Sequence, residues 1–176
     1  NCTNGELGST TKGAVTAAGT PSSGITLGGI MGLTSHHFNA TGCKNYGPIK
    51  QTGAGGAGGS YRSSLAGILG AAPNDGTYTI TITNCENYGN IAYGSVKPTH
   101  RVDVGGIMGT SSQKGTTTIT GCKNGGKIEF NASGAGAEIS FGGIAGTIQG
   151  GTLTNCVNLA SAEIYSNGSA TSNYNV

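Results

Sequence analysis

The stretch Gly105-Gly106-Ile107-Met108-Gly109, joined through Thr116-Thr117-Thr118-Ile119-Thr120 to Cys122-Lys123-Asn124-Gly125-Gly126-Lys127-Ile128, decides the fold, because both of its boxes recur along the chain. The first box, small-Gly-Ile-x-Gly, stands at residues 28–32 (GGIMG), 66–70 (AGILG), 105–109 (GGIMG) and 142–146 (GGIAG). The second is Cys-x-Asn followed by a glycine-containing turn and an aliphatic residue, and it stands at residues 43–49, 85–91 and 122–128. A looser copy begins at Cys156-Val157-Asn158, and a truncated one opens the chain as Cys2-Thr3-Asn4-Gly5-Glu6-Leu7. The boxes alternate strictly, and the central isoleucines Ile30, Ile68, Ile107 and Ile144 are 38, 39 and 37 residues apart. A fixed period of this length marks a stack of units, each burying its apolar row only against its neighbours.

Between the boxes the pattern is that of strands. Thr77-Tyr78-Thr79-Ile80-Thr81-Ile82-Thr83 alternates with period two, as do Val102-Asp103-Val104 and Ala137-Glu138-Ile139-Ser140-Phe141. No stretch carries a helical stripe with capping signals, and glycine is too frequent for a helix of useful length. The expected architecture is all-β, a parallel β-solenoid of about four repeats of roughly 38 residues. Short strands and turns in such a unit suggest two coils of about 19 residues each, with matching positions stacked about 4.8 Å apart. Ile30, Ile68, Ile107 and Ile144 are expected to form an inward aliphatic ladder. The flanking glycines are expected to supply positive φ at corners and close approach of coils. The box asparagines are expected in left-handed turns, bonding neighbouring backbone. Residues 1–164 form one solenoid domain on this reading, and the polar residues 165–176 form a tail or cap.

Composition agrees with this and excludes several classes. The chain has 176 residues, 35 of them glycine, with only 4 prolines, which rules out collagen and proline-rich linkers. Charged residues make up 9%, too few for a disordered chain so rich in threonine and isoleucine. The formal net charge of +2 is scattered, so neither nucleic acid nor an anionic membrane is an expected partner. No apolar run approaches the roughly 20 residues of a membrane helix. The opening Asn1-Cys2-Thr3 lacks a charged-then-apolar start, so the sequence reads as a mature or excised piece.

The two boxes resemble the GLUG-type repeats of large bacterial surface proteins, in which a Gly-Gly-aliphatic-x-Gly segment alternates with an Asn/Cys segment ending in Gly-x-aliphatic. The resemblance runs from Gly28 to about Asn158, with the partial unit at the start. It implies an extracellular or cell-surface location and a repeat accessory to other domains. It carries over no catalytic residue.

The candidate site residues have mostly structural explanations. Cys2, Cys43, Cys85, Cys122 and Cys156 share one repeat position. With two coils per unit they would lie about 9.5 Å apart, beyond the roughly 7 Å Cα limit of a disulfide, so a buried column of free thiols is expected. No Cys-x₂₋₄-Cys pair suggests zinc. The run at residues 53–59 contains G-x-G-x-x-G, but no helix follows it, so it is taken as a loop. His36-His37 and His100 are expected in exposed loops rather than as metal ligands, and the insert 97–101 likewise. The acids are Glu6, Asp75, Glu86, Asp103, Glu129, Glu138 and Glu163. A polysaccharide-acting enzyme would need them gathered on one face, and Glu129 and Glu138 are the pair most able to meet. Rows of Thr77, Thr79, Thr81 and Thr83 with residues 116–118 and 120 invite comparison with ice-binding solenoids, although Ser35 to Phe38 of the first unit break the pattern. Four Asn-x-Ser/Thr sequons begin at Asn1, Asn39, Asn131 and Asn167.

The functional expectation is therefore a non-catalytic module of a bacterial cell-surface or extracellular protein, a stalk or adhesion scaffold without cofactor or metal. Its partners would be other domains of a larger surface protein or copies of itself. The alternative is glycan binding on exposed aromatics. Tyr46 and Tyr88 occupy one repeat position and are the leading candidates, with Tyr61, Tyr78, Tyr93 and Tyr165 behind them.

Overall fold

The computed structural model describes residues 1–18, 24–53, 62–73, 77–94, 100–131, 138–167 and 174–175, and every regular element among them is a strand. The first coil runs through β1 (Thr3–Asn4), β2 (Val15–Ala17), β3 (Thr26–Gly28) and β4 (Met31–Leu33). The second has β5 (Phe38–Thr41), β6 (Lys44–Asn45), β7 (Ile49–Gln51), β8 (Arg62–Ala66) and β9 (Leu69–Ala71). The third has β10 (Thr79–Thr83), β11 (Glu86–Asn87), β12 (Ile91–Tyr93), β13 (Arg101–Gly105) and β14 (Met108–Thr110). The fourth has β15 (Thr116–Thr120), β16 (Lys123–Asn124), β17 (Ile128–Phe130), β18 (Ile139–Gly142) and β19 (Ala145–Thr147). A last partial coil holds β20 (Gly151–Thr154), β21 (Val157–Asn158), β22 (Ile164–Ser166) and β23 (Tyr174–Asn175).

Strands at equivalent places pair in parallel, giving five sheets along the stack, for example β1-β6-β11-β16-β21 and β5-β10-β15-β20. The fold is a parallel β-solenoid. Each repeat makes one coil, not the two expected from its length. Five strands of 2–5 residues and their connections use the whole repeat in a single circuit. The stretch beyond 164, expected as tail or cap, carries β22 and β23, which pair with β17 and β18 and so extend the ladder.

The coil is pinched at its middle, and the pinch explains why two boxes are needed. Asn45, Asn87, Asn124 and Asn158 point inward from their sheet toward the second residue of the first box, a glycine in every copy. A Cβ added at Gly67 would lie 2.3 Å from Asn87 Cγ, and one at Gly106 would lie 2.4 Å from Asn124 Cγ. Gly29 and Gly143 meet Asn45 and Asn158 in the same way. Any side chain there would collide with the asparagine row. The box glycines thus serve close approach, and none has positive φ; the left-handed corner falls instead on Gly42, Asn84, Gly121 and Asn155, each just before a box cysteine.

On either side of the pinch lies a separate core. One gathers Ile68, Ile107, Ile80, Ile82, Ile119 and the cysteines Cys43, Cys85 and Cys122. The other gathers Ile49, Ile91, Ile128, Leu65, Val102, Val104 and Phe141, with Tyr93 and Phe130 stacked at 5.5 Å. Burying a Val or Ile side chain contributes about 1.5–3 kcal/mol, so these two columns are the main source of cohesion.

Candidate functional site

The asparagines form a continuous amide ladder through the pinch. Asn4 Nδ2 donates to Asn45 Oδ1 at 2.8 Å, Asn45 to Asn87 at 2.7 Å, Asn87 to Asn124 at 2.8 Å and Asn124 to Asn158 at 2.8 Å. The second amide hydrogen of Asn45, Asn87 and Asn124 goes to the carbonyl of Gly47, Gly89 and Gly126, respectively. Buried amides cost several kcal/mol when unpaired, so a satisfied row locks the register of successive coils.

Beside the ladder stand the cysteines. Cys43, Cys85 and Cys122 are buried, Cys2 is exposed and Cys156 lies between, and all five are free thiols. Since each repeat is one coil, neighbours in the column are one strand spacing apart, about 4.8 Å, and the separation argument for free thiols does not hold. Instead the sulfurs are engaged along the stack. Cys43 Sγ accepts from Cys2 N, and Cys85 Sγ accepts from Cys43 N, each at 3.3 Å. The contact with Cys85, then burial, pushes the Cys122 thiol up, and burial pushes up Cys43. Of the isoleucine row, Ile68 and Ile107 are fully buried, whereas Ile30 and Ile144, nearer the ends, are half-buried.

The tyrosines divide. Tyr78 and Tyr93 are core residues, not surface platforms; Tyr78 Oη accepts from Ser112 N at 2.7 Å and donates to its carbonyl at 2.8 Å. Tyr61 lies outside the described residues. Tyr165 is exposed next to Glu129 in the register of β17 and β22. Tyr46 and Tyr88, each one residue past a ladder asparagine, stack at 5.5 Å with 10° between planes on the outer corner. Tyr88 lies over Gly125 of the next coil, where a Cβ would come within 2.9 Å of its ring.

Among the described residues, a concave surface is entered by Tyr46 and Tyr88 of this corner. In the second, third and fourth coils three residues turn it (46–48, 88–90 and 125–127), but the first coil uses ten, 5–14. That longer loop is built: Ser9 N donates to the Glu6 carbonyl at 3.0 Å, Lys12 N to Ser9 Oγ at 3.1 Å, and Asn4 Nδ2 to the Gly13 carbonyl at 2.8 Å. Glu6 pairs with Lys12 across its base. Gly5, Gly8 and Gly13 take positive φ, which lets the loop fold back. Its tip, with Leu7, Ser9 and Thr10, lines a groove of about 320 Å³ together with Tyr46, Tyr88 and, in addition, Pro48, Lys50 and Asn90. Next to it Lys44 Nζ pairs with Glu86 at 2.8 Å, and Lys44 holds the Glu86 carboxyl below its ordinary value. Burial, followed by the charge of Glu86, raises Tyr88. The inserted loop was not singled out in the sequence. The ten residues between Asn4 and Val15, against three between Asn45 and Ile49, were the available signal.

The other candidates are placed elsewhere. Asp103 is fully buried, 3.1 Å from both Arg62 Nε and Arg101 Nε, and accepts from Thr147 Oγ1 at 2.6 Å. Glu138 pairs with Arg101 and Glu163 with Lys127, whereas Glu129 accepts from Asn167. Glu129 and Glu138, the acids most able to meet, are engaged with different partners. Asp75 lies outside the described residues, as does most of the 53–59 run and residues 95–99. His36 and His37 are exposed, but His100, expected in an exposed loop, is buried with Nε2 2.7 Å from Ser63 Oγ. Residue 101, placed in a loop, opens β13. Among the described residues no cluster of His, Cys, Asp or Glu forms a metal site.

The threonine rows are more even than the sequence spacing suggested. Thr41, Thr83, Thr120 and Thr154 make one register column, and Asn39, Thr81, Thr118 and Thr152 make another. Phe38 falls opposite Ile80, an inward position, so it does not interrupt the outer face. Unequal unit lengths do not disturb the array, because the differences fall in the connections.

No family model matches the chain, and comparison with curated proteins and with solved structures likewise finds no match.

Proposed function

We propose that the chain is a non-catalytic repeat module of an extracellular or bacterial cell-surface protein, acting as a stalk or adhesion scaffold. The observation that carries this reading is the use of the repeated residues. Asparagine, glycine, isoleucine and cysteine of the boxes are spent on ladders, pinch and core, so what repeats is what holds successive coils together. The outer positions differ from coil to coil: the column Lys44, Glu86, Lys123 changes sign, and Tyr46, Tyr88, Gly125 changes size. A constant interior under a variable surface suits a spacer that presents local patches. The likeness of the boxes to GLUG-type repeats supports the surface location.

Partners on this reading are further domains of a larger surface protein or copies of the chain. Met31 and Leu33 in β4, and Leu153 and Val157 in β20 and β21, are exposed on terminal strands, where such partners would cover them. The test is labelling of intact source cells with antibody raised against the purified chain. Labelling without permeabilisation is expected; labelling only after permeabilisation overturns the placement.

A further inference from the structure

We propose that the corner groove beneath the 5–14 loop binds an acidic carbohydrate, with a sugar ring against Tyr46 and its carboxylate at Lys50. This names a partner for the adhesive side of the proposed function and rests on that reading.

Three observations converge on the groove. The first is aromatic: tyrosines from two successive coils stack in parallel on an outer corner and line the groove together. Their apolar rings and polar tips suit a ligand with C–H faces and hydroxyl edges. The second is shape. The loop that walls the groove occurs in a single coil, and it is held by contacts of its own, among them hydrogen bonds to Glu6, Ser9, Thr11 and Gly13 and the Glu6–Lys12 pair. A spacer has no need of it, since three residues turn the same corner in the next three coils and five, 159–163, turn it in the last. Its tip puts exposed Leu7 and the hydroxyl-bearing Ser9 and Thr10 opposite the tyrosines.

The third observation is charge. Glu6 is neutralised by Lys12, and Glu86 by Lys44. Lys50 lines the groove, is exposed, and pairs with no carboxylate among the described residues. In its register column Thr16 and Ala92 flank it, so the nearest acid of the column, Glu129, stands two strand spacings away, about 9.6 Å. The groove thus carries one uncompensated positive charge beside an aromatic wall, which selects an anionic over a neutral sugar.

The experiment is calorimetric titration of the whole chain with a trimer of galacturonic acid, and with its fully methyl-esterified form as neutral counterpart. The acid is expected to bind about tenfold tighter than the ester, with a margin that shrinks as salt is raised. Lys50→Gln should abolish the margin while leaving the ester's affinity in place. Tyr46→Ala should lower affinity for both sugars about tenfold. Thr118→Ala, on a different sheet, should change neither. Thermal melting of each variant checks that the fold survives, and the exposed Lys50 substitution keeps the test decisive should Tyr46→Ala unfold the corner. Equal affinity for acid and ester, binding indifferent to both groove substitutions, or no binding of either sugar overturns the proposal. Surface labelling reads a different property. A chain displayed on cells that ignores both sugars sinks the groove alone, and one that binds them yet is never displayed sinks the location alone.

Discussion

The central coils and the end coils are built from the same residues, yet these residues live in different environments. Ile68 and Ile107 are fully buried, but their counterparts Ile30 and Ile144 are only half-buried. Cys85 is buried and Cys2 exposed, although both precede a ladder asparagine by two positions. Asn87 is bonded on both sides, to Asn45 and Asn124, whereas Asn4 donates to Asn45 and to Gly13. In an ordinary domain burial is set by where a residue sits in one shared core. Here it is set by how many neighbouring coils a residue has. A substitution should therefore cost according to its rank in the stack, not its chemistry alone.

The largest effect is expected at Asp103, in the third coil between two arginines. Asp103→Ala leaves Arg62 and Arg101 facing each other without their shared carboxylate and should cost about 3–5 kcal/mol in chemical denaturation. The exposed Lys127–Glu163 pair is the contrast: Glu163→Gln should leave the denaturation midpoint where it was. An equal loss at both would show that stack position does not govern stability. Next come the isoleucines. Ile107→Ala should cost about 2–5 kcal/mol, and Ile30→Ala about half as much, since a partly open site loses less burial and leaves less cavity.

A smaller difference separates the asparagines. Asn87→Ala takes one partner from the amide of Asn45, which keeps the Gly47 carbonyl, and one from the carbonyl oxygen of Asn124, which keeps Gly126 N, and should cost about 2–3 kcal/mol, against about 1 kcal/mol for Asn4→Ala. Hydrogen exchange sharpens this, because Asn87→Ala should open amides in the coils on both sides and Asn4→Ala in one. The smallest effect concerns pH. Lys44 holds the Glu86 carboxyl below its ordinary value of 4.5, so the stability this pair adds is complete above that value and fades as pH falls through the lowered one. Lys44→Gln should remove that part of the acid dependence from a melting series. An unchanged acid limb would show that the pair adds nothing to the fold.

Much of this architecture was legible in the chain. The alternating boxes and their steady period led to a parallel solenoid, and the box isoleucines and cysteines were read as inward columns. The number of coils per repeat was not legible, because a period of about 38 residues accommodates either one wide circuit or two narrow ones. The choice rests on the pinch, where Gly67 and Gly106 touch Asn87 and Asn124 across the coil, a contact no local pattern announces. The left-handed corner was misplaced for a different reason. The residues before the cysteines, Gly42, Asn84, Gly121 and Asn155, are the two types that best tolerate positive φ, but they alternate in identity, whereas the asparagine two positions beyond the cysteine is the more regular signal. At the corner groove the tyrosine pair was visible as a repeat position. The wall opposite was not, since it comes from an insertion in one unit, and averaging over repeats hides what only one of them has.

The amide ladder also has a sense. From Asn4 to Asn158 every side chain gives its hydrogen toward the same end of the molecule, and none reverses. Aligned amides reinforce one another as they do along a helix, so the row is an arrow as well as a clamp. Its tail is the oxygen of Asn4 and its point is the nitrogen of Asn158. Two such arrows join in line without conflict, while point against point sets donor against donor. Any lengthening of this stack through its ladder therefore inherits a direction, and a filament made that way would have unlike ends.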